Sequence, residues 1–376
     1  MPPAVRTLGV PKETKTLEGR VAVTPDGVRE IASRGIEVLV ETSAGAAAAL
    51  PDADYVAAGA RIVSCAADAW SADLVIKVKE PTSAELAFLR PDLTLFTYLH
   101  LAAYPHVAAA LQKQRTTALS YETVQTAAGS LPLLAPMSEI AGRLATQAAA
   151  HWLQRPYGGR GVLMGGAPGV RPARVVVIGA GNVGWNAAWI AAGMQAEVVL
   201  MDRNIDRLRQ LEQIAVGRVT TLTANRGAIE RSVAEADVVI GAVLVPGGRA
   251  PIVVDDGMVR GMKPGAVIVD VAVDQGGCIA TTRETTHVEP VYEKHGVVHY
   301  AVGNMPGAVP YTSTYALTNA TLPYVTQVAT LGARAAALAD PALALGVNTV
   351  NGAITHRTTA DALGAPFVEP LTALQN

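Results

Sequence analysis

The residues most able to do chemistry begin with a run of glycines. Arg174-Val-Val-Val-Ile-Gly179-Ala-Gly181-Asn-Val-Gly184 is a β-branched strand feeding a G-x-G-x-x-G turn, and Trp185–Ala192 reads as the helix that follows. In that context Gly179 permits the tight turn, Gly181 lets the backbone approach a pyrophosphate, and Gly184 lets helix and strand pack closely. The phosphates would face unpaired N–H groups at the helix N-terminus. The next strand, Glu197–Met201, ends in Asp202. A carboxylate there suits the ribose hydroxyls of a dinucleotide and repels a 2′-phosphate, so NAD is favoured over NADP. Arg203 is the residue nearby that a 2′-phosphate would need.

A second set of polar residues sits where apolar strands end. Lys79 follows Asp73-Leu-Val-Ile-Lys-Val, His100 follows Leu93–Leu99, and Glu122 follows Ala118–Tyr121. Further on, Asp274 ends Val267–Val273, and Asn304 follows Val297–Val302. Ligands of open parallel sheets bind outside the carboxyl ends of strands. A cation, an imidazole, carboxylates and an amide are therefore expected to converge on a cleft between domains. Hydride transfer from an α-carbon requires such groups. A histidine handles the heteroatom proton near neutral pH. A cation fixes a substrate carboxylate and polarises a carbonyl.

These residues need elements to hold them, and the chain alternates apolar strands with amphipathic helices. Thr24 is an N-cap with Pro25 at the first helical position. Helices are expected near Pro105–Lys113 and Ser138–Leu153, and strands at Arg174–Ile178, Glu197–Met201, Asp237–Ala242, Ala266–Val273 and Val297–Ala301. The tail after Tyr311 reads as helical, interrupted at Pro323. The alternation predicts an α/β fold with parallel sheets. Two domains are expected: a central Rossmann NAD-binding domain over 132–310, and a discontinuous α/β substrate domain made of 1–131 and 311–376.

Composition bounds the rest. The chain has 376 residues, 50% of them hydrophobic, with 30 Lys+Arg against 32 Asp+Glu. That length suggests roughly two to three domains, and the near-zero net charge argues against nucleic-acid binding through a basic field. No signal peptide or membrane-spanning run is evident. Cys65 and Cys278 read as reduced thiols of a cytoplasmic protein. His295 and His299 have i,i+4 spacing, but Gly296-Val-Val reads as turn and strand. With no H-e-x-x-H or C-x-x-C pattern, no metal is expected. A mean hydropathy of +0.27 suggests buried subunit interfaces.

Beyond these motifs the chain resembles a known family. Gly9-Val-Pro-Lys-Glu-Thr-Lys15 with Arg20-Val-Ala-Val-Thr-Pro25 is similar to the opening of alanine dehydrogenases and the related nicotinamide nucleotide transhydrogenase subunits. Matching motifs continue at Val78–Pro81, Phe96–Leu101, Tyr121–Gln125, Leu134–Glu139, Gly179–Gly184, Asp270–Gly277, Asn304–Pro310 and Thr312–Thr314. The resemblance covers almost the whole chain and points to the alanine dehydrogenase branch. It implies reversible NAD-dependent oxidative deamination of L-alanine to pyruvate and ammonium.

By the same resemblance, Arg20 and Lys79 grip the substrate, and His100 and Asp274 are the catalytic pair. Asn304 lies beside substrate and nicotinamide, while Ser138, Asp202 and Arg207 join the glycines as cofactor contacts. A closing cleft and a homo-hexamer are implied too. Tyr311 stands where a basic residue is expected. Three other readings are weighed: the soluble NAD(H)-binding subunit of a proton-translocating transhydrogenase, a non-catalytic NAD-binding protein, and a saccharopine-type dehydrogenase.

Overall fold

The computed structural model describes residues 4–243, 250–273 and 276–375. The chain divides into two compact units: 1–137 with 307–376, and 138–306.

Six strands of the first unit come from its N-terminal part: β1 (Thr7–Val10), β2 (Glu37–Glu41), β3 (Arg61–Val63), β4 (Leu74–Ile76), β5 (Thr94–Thr97) and β6 (Thr117–Ser120). The second unit holds β7 (Arg174–Ile178), β8 (Glu197–Asp202), β9 (Thr220–Thr223), β10 (Val238–Gly241), β11 (Val267–Asp270), β12 (Val291–Lys294) and β13 (Val297–Tyr300). The tail returns β14 (Val347–Val350) and β15 (Ala353–Ile354) to the first unit. Among the described residues the sheet orders are β15-β14-β6-β5-β4-β1-β2-β3 and β12-β13-β11-β10-β7-β8-β9.

The parallel strands of both sheets are wound alike. In each the chain starts mid-sheet, builds outward to one edge, then crosses to the other side. This leaves a switch point between β1 and β4 in one unit and between β7 and β10 in the other. Side chains alternate across the second sheet. Val175, Val177, Val198, Leu200, Val238 and Ile240 pack on one face, and Val176, Ile178, Val199, Met201, Val239 and Ile268 on the other. Both faces are dry, which is why these strands read as continuous apolar runs.

The helix Pro25–Ala32 starts as its sequence requires: Pro25 opens it and the Thr24 hydroxyl accepts the Gly27 N–H at 3.2 Å. Two expectations are corrected. The tail is not all helical, because β14 pairs antiparallel with β6, placing Val347 opposite Leu119. The interruption of the tail helix falls at Gly332, not Pro323. The helix Pro310–Ala339 carries Pro323 inside it and leaves helical geometry at Gly332 (φ 78°, ψ 156°). The break frees the carbonyls of Ala329 and Thr330, which accept the N–H groups of Val5 and Ala4 at 3.2 and 3.0 Å.

Candidate functional site

The polar residues of the first unit gather at the carboxyl ends of β1, β4, β5 and β6. Strand β4 stops at Ile76, three residues short of Lys79. The reason is a side chain: Glu13, just past β1, accepts the N–H groups of Val78 and Lys79 through Oε1 at 2.6 and 3.3 Å. Its Oε2 pairs with Lys77 Nζ at 3.2 Å, and Glu85 takes the same ammonium at 2.8 Å. Lys77 is fully buried. Burial opposes its charge, but Glu13 and Glu85 more than offset this and raise its pKa. Burial pushes the Glu13 carboxyl up, against the pull of Lys77.

Above this buried triad lie the candidates. Lys79 is half-buried. Lys15 pairs with Glu80 and stands 4.7 Å over the Tyr104 ring. Burial, and then the charge of Lys79, lowers the Lys15 pKa, so two ammonium groups share this region. Arg20 is 2% exposed, with Nε donating to Glu18 Oε1 at 2.7 Å and Nη2 paired with Glu18 Oε2. Its Nη1 faces the Met137 sulfur at 3.1 Å. Burial works against the Arg20 charge, but the Glu18 carboxylate prevails and raises its pKa.

His100 sits in the left-handed region at φ 46°, a conformation disfavoured for a residue with a Cβ. Glu122 holds it there, accepting the His100 N–H at 2.7 Å and that of Leu99 at 3.3 Å. The carboxylate thus grips the backbone. The ring stacks on Tyr98 (5.8 Å, 23°), and its Nδ1 lies 3.8 Å from Glu80 Oε2. Strained backbone fixed by a charged partner is common where geometry matters.

In the second unit the glycine turn has the shape a dinucleotide needs. Gly179 has φ 103°, and a Cβ there would meet the Ala242 carbonyl oxygen at 2.4 Å. A Cβ on Gly184 would lie 1.7 Å from the Gly179 oxygen. At Gly181 a Cβ would meet nothing nearer than Arg207 Nη1 at 4.0 Å, so backbone is exposed to an incoming group. Gly181 caps the helix Asn182–Gly193 with no side-chain bond. The first-turn N–H groups therefore lack a side-chain acceptor, the arrangement that receives a pyrophosphate. Asp202 Oδ2 accepts the Ala180 N–H at 2.7 Å, tying the turn to the end of β8. Arg207 Nη1 is 3.8 Å from that oxygen. These residues fit an NAD adenosine half.

Ser138 lies half-buried in the helix Ala135–Trp152. Asn304 is in the left-handed region (φ 59°), and its backbone carbonyl faces His287 Nε2 at 3.3 Å. Asp274 lies outside the described residues. Before and after it the chain is organised by Asp270, fully buried at the end of β11. Its carboxylate accepts from the N–H groups of Ala272, Cys278 and Ile279 and from the Thr282 hydroxyl. Burial raises the Asp270 pKa against the bonds from the Thr282 hydroxyl, the Cys278 and Ile279 N–H groups and the Cys278 thiol. His299 lies in β13 and His295 precedes it in a left-handed turn, so the two do not share a helix face.

Sequence reasoning passed over Glu13, Lys15, Glu18, Lys77, Glu80 and Asp270. The signal was available for some of them. Lys77 is a cation inside a strand that reads as buried on both faces, and such a charge needs carboxylate partners.

Family models confirm what these motifs resemble. The alanine dehydrogenase/PNT N-terminal domain matches residues 9–141, and the alanine dehydrogenase/PNT C-terminal domain matches 145–357. The chain belongs to the alanine dehydrogenase/PNT family. An alanine dehydrogenase of Mycobacterium tuberculosis is 55% identical over 368 residues, which is 98% of this chain and 99% of that one. A solved L-alanine dehydrogenase superposes with a TM-score of 0.92 at 51% identity, covering 95% of this chain and 99% of that one. The transhydrogenase from Sinorhizobium meliloti superposes at 0.78 with 26% identity, covering 93% and 99%. Membership at this level makes the protein an NAD-dependent amino-acid oxidoreductase. No helix of the described residues is long and apolar enough to cross a membrane.

Proposed function

We propose that the chain is an L-alanine dehydrogenase, converting L-alanine, water and NAD⁺ reversibly into pyruvate, ammonium, NADH and a proton. The observation that carries this reading is the match at 55% identity over 98% of the chain to a protein named alanine dehydrogenase, against 26% for the transhydrogenase structure. NAD, when bound, accepts the hydride from the substrate Cα.

The remaining steps belong to side chains. Arg20 receives the substrate carboxylate: Glu18 occupies one edge of its guanidinium, and Nη1 faces the Met137 thioether, a weak acceptor that a carboxylate displaces. Lys79 holds the substrate from the second side and favours negative charge on the carbonyl oxygen. His100 takes the proton from the water that adds to the imine formed by hydride loss, then returns it to the departing amine. Asp274 assists in activating that water, and Asn304 lies beside substrate and nicotinamide. Gly179, Gly181 and Gly184 receive the pyrophosphate, while Asp202 takes the adenosine ribose hydroxyls with Ser138 and Arg207 as further contacts. The domain reading follows: 132–310 binds NAD, and 1–131 with 311–376 binds substrate.

Two further parts of the proposal are a cytoplasmic protein and a homo-oligomer, a hexamer by family resemblance. The mean hydropathy of +0.27 supports an assembly with buried interfaces. Sedimentation at the monomer mass across a wide concentration range would refute it.

NADH oxidation with pyruvate, with and without ammonium, tests the reaction. The expected turnover requires ammonium. Turnover without it would indicate a hydroxy-acid dehydrogenase, and none with NADH still bound would favour the transhydrogenase reading. His100→Ala should lower kcat by roughly 10²–10⁴-fold. Full activity in a well-folded His100→Ala protein removes the role given to that residue.

A further inference from the structure

Glu80 carries a feature that neither the motifs nor the family assignment explains. Its side chain is 2% exposed. Lys15 takes one oxygen, Oε1. The other, Oε2, is buried with no hydrogen-bond partner among the described residues. Leaving a buried carboxylate oxygen unsatisfied is costly, and such exceptions call for an explanation. This oxygen points toward His100, whose Nδ1 is 3.8 Å away.

We infer that Glu80 is a positioning residue for His100: it selects the ring tautomer with the proton on Nδ1 and strengthens the ring's hold on a second proton. The inference rests on the reading of His100 as the acid/base group. The distance is one of an ion pair, and closing by about 1 Å would make it a hydrogen bond. Catalytic hydrogen bonds are often long until substrate is bound. With Nδ1–H committed to Glu80, Nε2 is the nitrogen left to exchange protons with substrate and water.

Two neighbours locate the ring. Glu122 fixes the His100 backbone in its left-handed conformation, and Tyr98 stacks on the ring. Lys15 pairs with the Glu80 carboxylate, with the Tyr104 ring beneath its ammonium. The charges of Lys79 and Lys77 also act on Lys15. A lysine, a carboxylate and an imidazole thus stand in series, drawn from the ends of β1, β4 and β5. The Glu80 carboxylate stands between the Lys15 ammonium, paired with Oε1, and the His100 ring, whose Nδ1 faces Oε2.

Glu80→Gln tests this while keeping side-chain volume and an acceptor for Lys15. The first readout is the titration of His100 by NMR of ¹³C-labelled histidine, with its signal assigned by its loss in His100→Ala. An opposite charge within ~4–6 Å favours the charged form, so the variant's His100 pKa should fall by roughly one unit. The acid limb of the kcat/KM profile should move with it. At the optimum, kcat should drop about tenfold with KM for pyruvate within about twofold, since the loss lies in the reacting step.

If Glu80 serves only as the counterion of Lys15, the folded variant will show an unchanged His100 titration and an unchanged acid limb, which overturns the inference. Should Glu80→Gln fail to fold, Glu80→Asp withdraws the charge from the ring by about one C–C bond, ~1.5 Å. A partial fall in the His100 pKa is then expected, and no change overturns the inference. His100→Ala separates the two levels. Full turnover in it removes the acid/base reading itself. Lost turnover there, with an unmoved titration in Glu80→Gln, removes only the role of Glu80.

Discussion

A single added methyl group measures how tightly the dinucleotide turn is built. The Cβ of an alanine at 184 would lie 1.7 Å from the Gly179 carbonyl oxygen, which is backbone and has no rotamer to yield. Gly184→Ala is therefore expected to cost ~1–3 kcal/mol of stability and to weaken NADH binding, read by urea denaturation and by NADH fluorescence. Wild-type values for both would show that the helix and strand can separate there without loss. The glycines were legible because the constraint that selects them is local. His100 was legible too, as an imidazole at the end of an apolar run. Its setting was not: Glu122 and Glu80 are 22 and 20 residues away in sequence, and nothing local reports that one grips its backbone and the other faces its ring. The same holds for Glu13, whose partners Val78 and Lys79 belong to a different strand end.

At the scale of elements, legibility followed burial. Arg174–Ile178 was readable to its ends because a parallel strand covered on both faces is a solid apolar run. Strand β9, Thr-Thr-Leu-Thr with exposed positions, carries no such signature. Strand β14 was hidden because Asn348 and Thr349 are polar yet buried, satisfied by Thr123 and by the Thr116 carbonyl. Pro323 misled for a related reason: tertiary contacts keep the helix going past it, and the break falls where glycine permits a non-helical backbone.

One strand also carries a pH dependence. In β13, His299 Nδ1–H donates to the Val297 carbonyl at 2.9 Å, so Nε2 accepts from the Thr281 hydroxyl at 2.8 Å. Burial lowers its pKa from 6.5, partly offset by the Val297 bond. The unfolded imidazole binds a proton more readily than the folded one. Its contribution is therefore full above about pH 6.5 and is lost as pH falls through the lowered folded-state value, by up to about 1.4 kcal/mol per pH unit. Melting should shift down between pH 7.5 and 5.5, and His299→Gln, which keeps an acceptor for Thr281 but does not titrate, should narrow that shift. An identical shift in the variant would assign the acid sensitivity elsewhere.

Across the whole molecule, the two units are unequal in how the chain builds them. Residues 138–306 are continuous and carry their own sheet with a dry core on each face. A unit with its own core is expected to fold alone. Expressed as a fragment, 138–306 should melt cooperatively and bind NADH, as followed by circular dichroism and fluorescence. A fragment lacking a cooperative transition would mean that the unit depends on the rest of the chain for its stability.

The pairing of β14 with β6 has a consequence for biosynthesis. More than 220 residues separate the partners Leu119 and Val347. While the ribosome is still translating the central segment, β6 has emerged with one flank of its backbone N–H and C=O groups unclaimed, a template for the wrong strand of another nascent chain. Its proper neighbour is made only after the unit 138–306 has been synthesised in full. Truncations that remove β14 should therefore yield aggregates enriched in the first unit, and a chaperone that shields open sheet edges should matter most between the synthesis of residue 120 and that of residue 350.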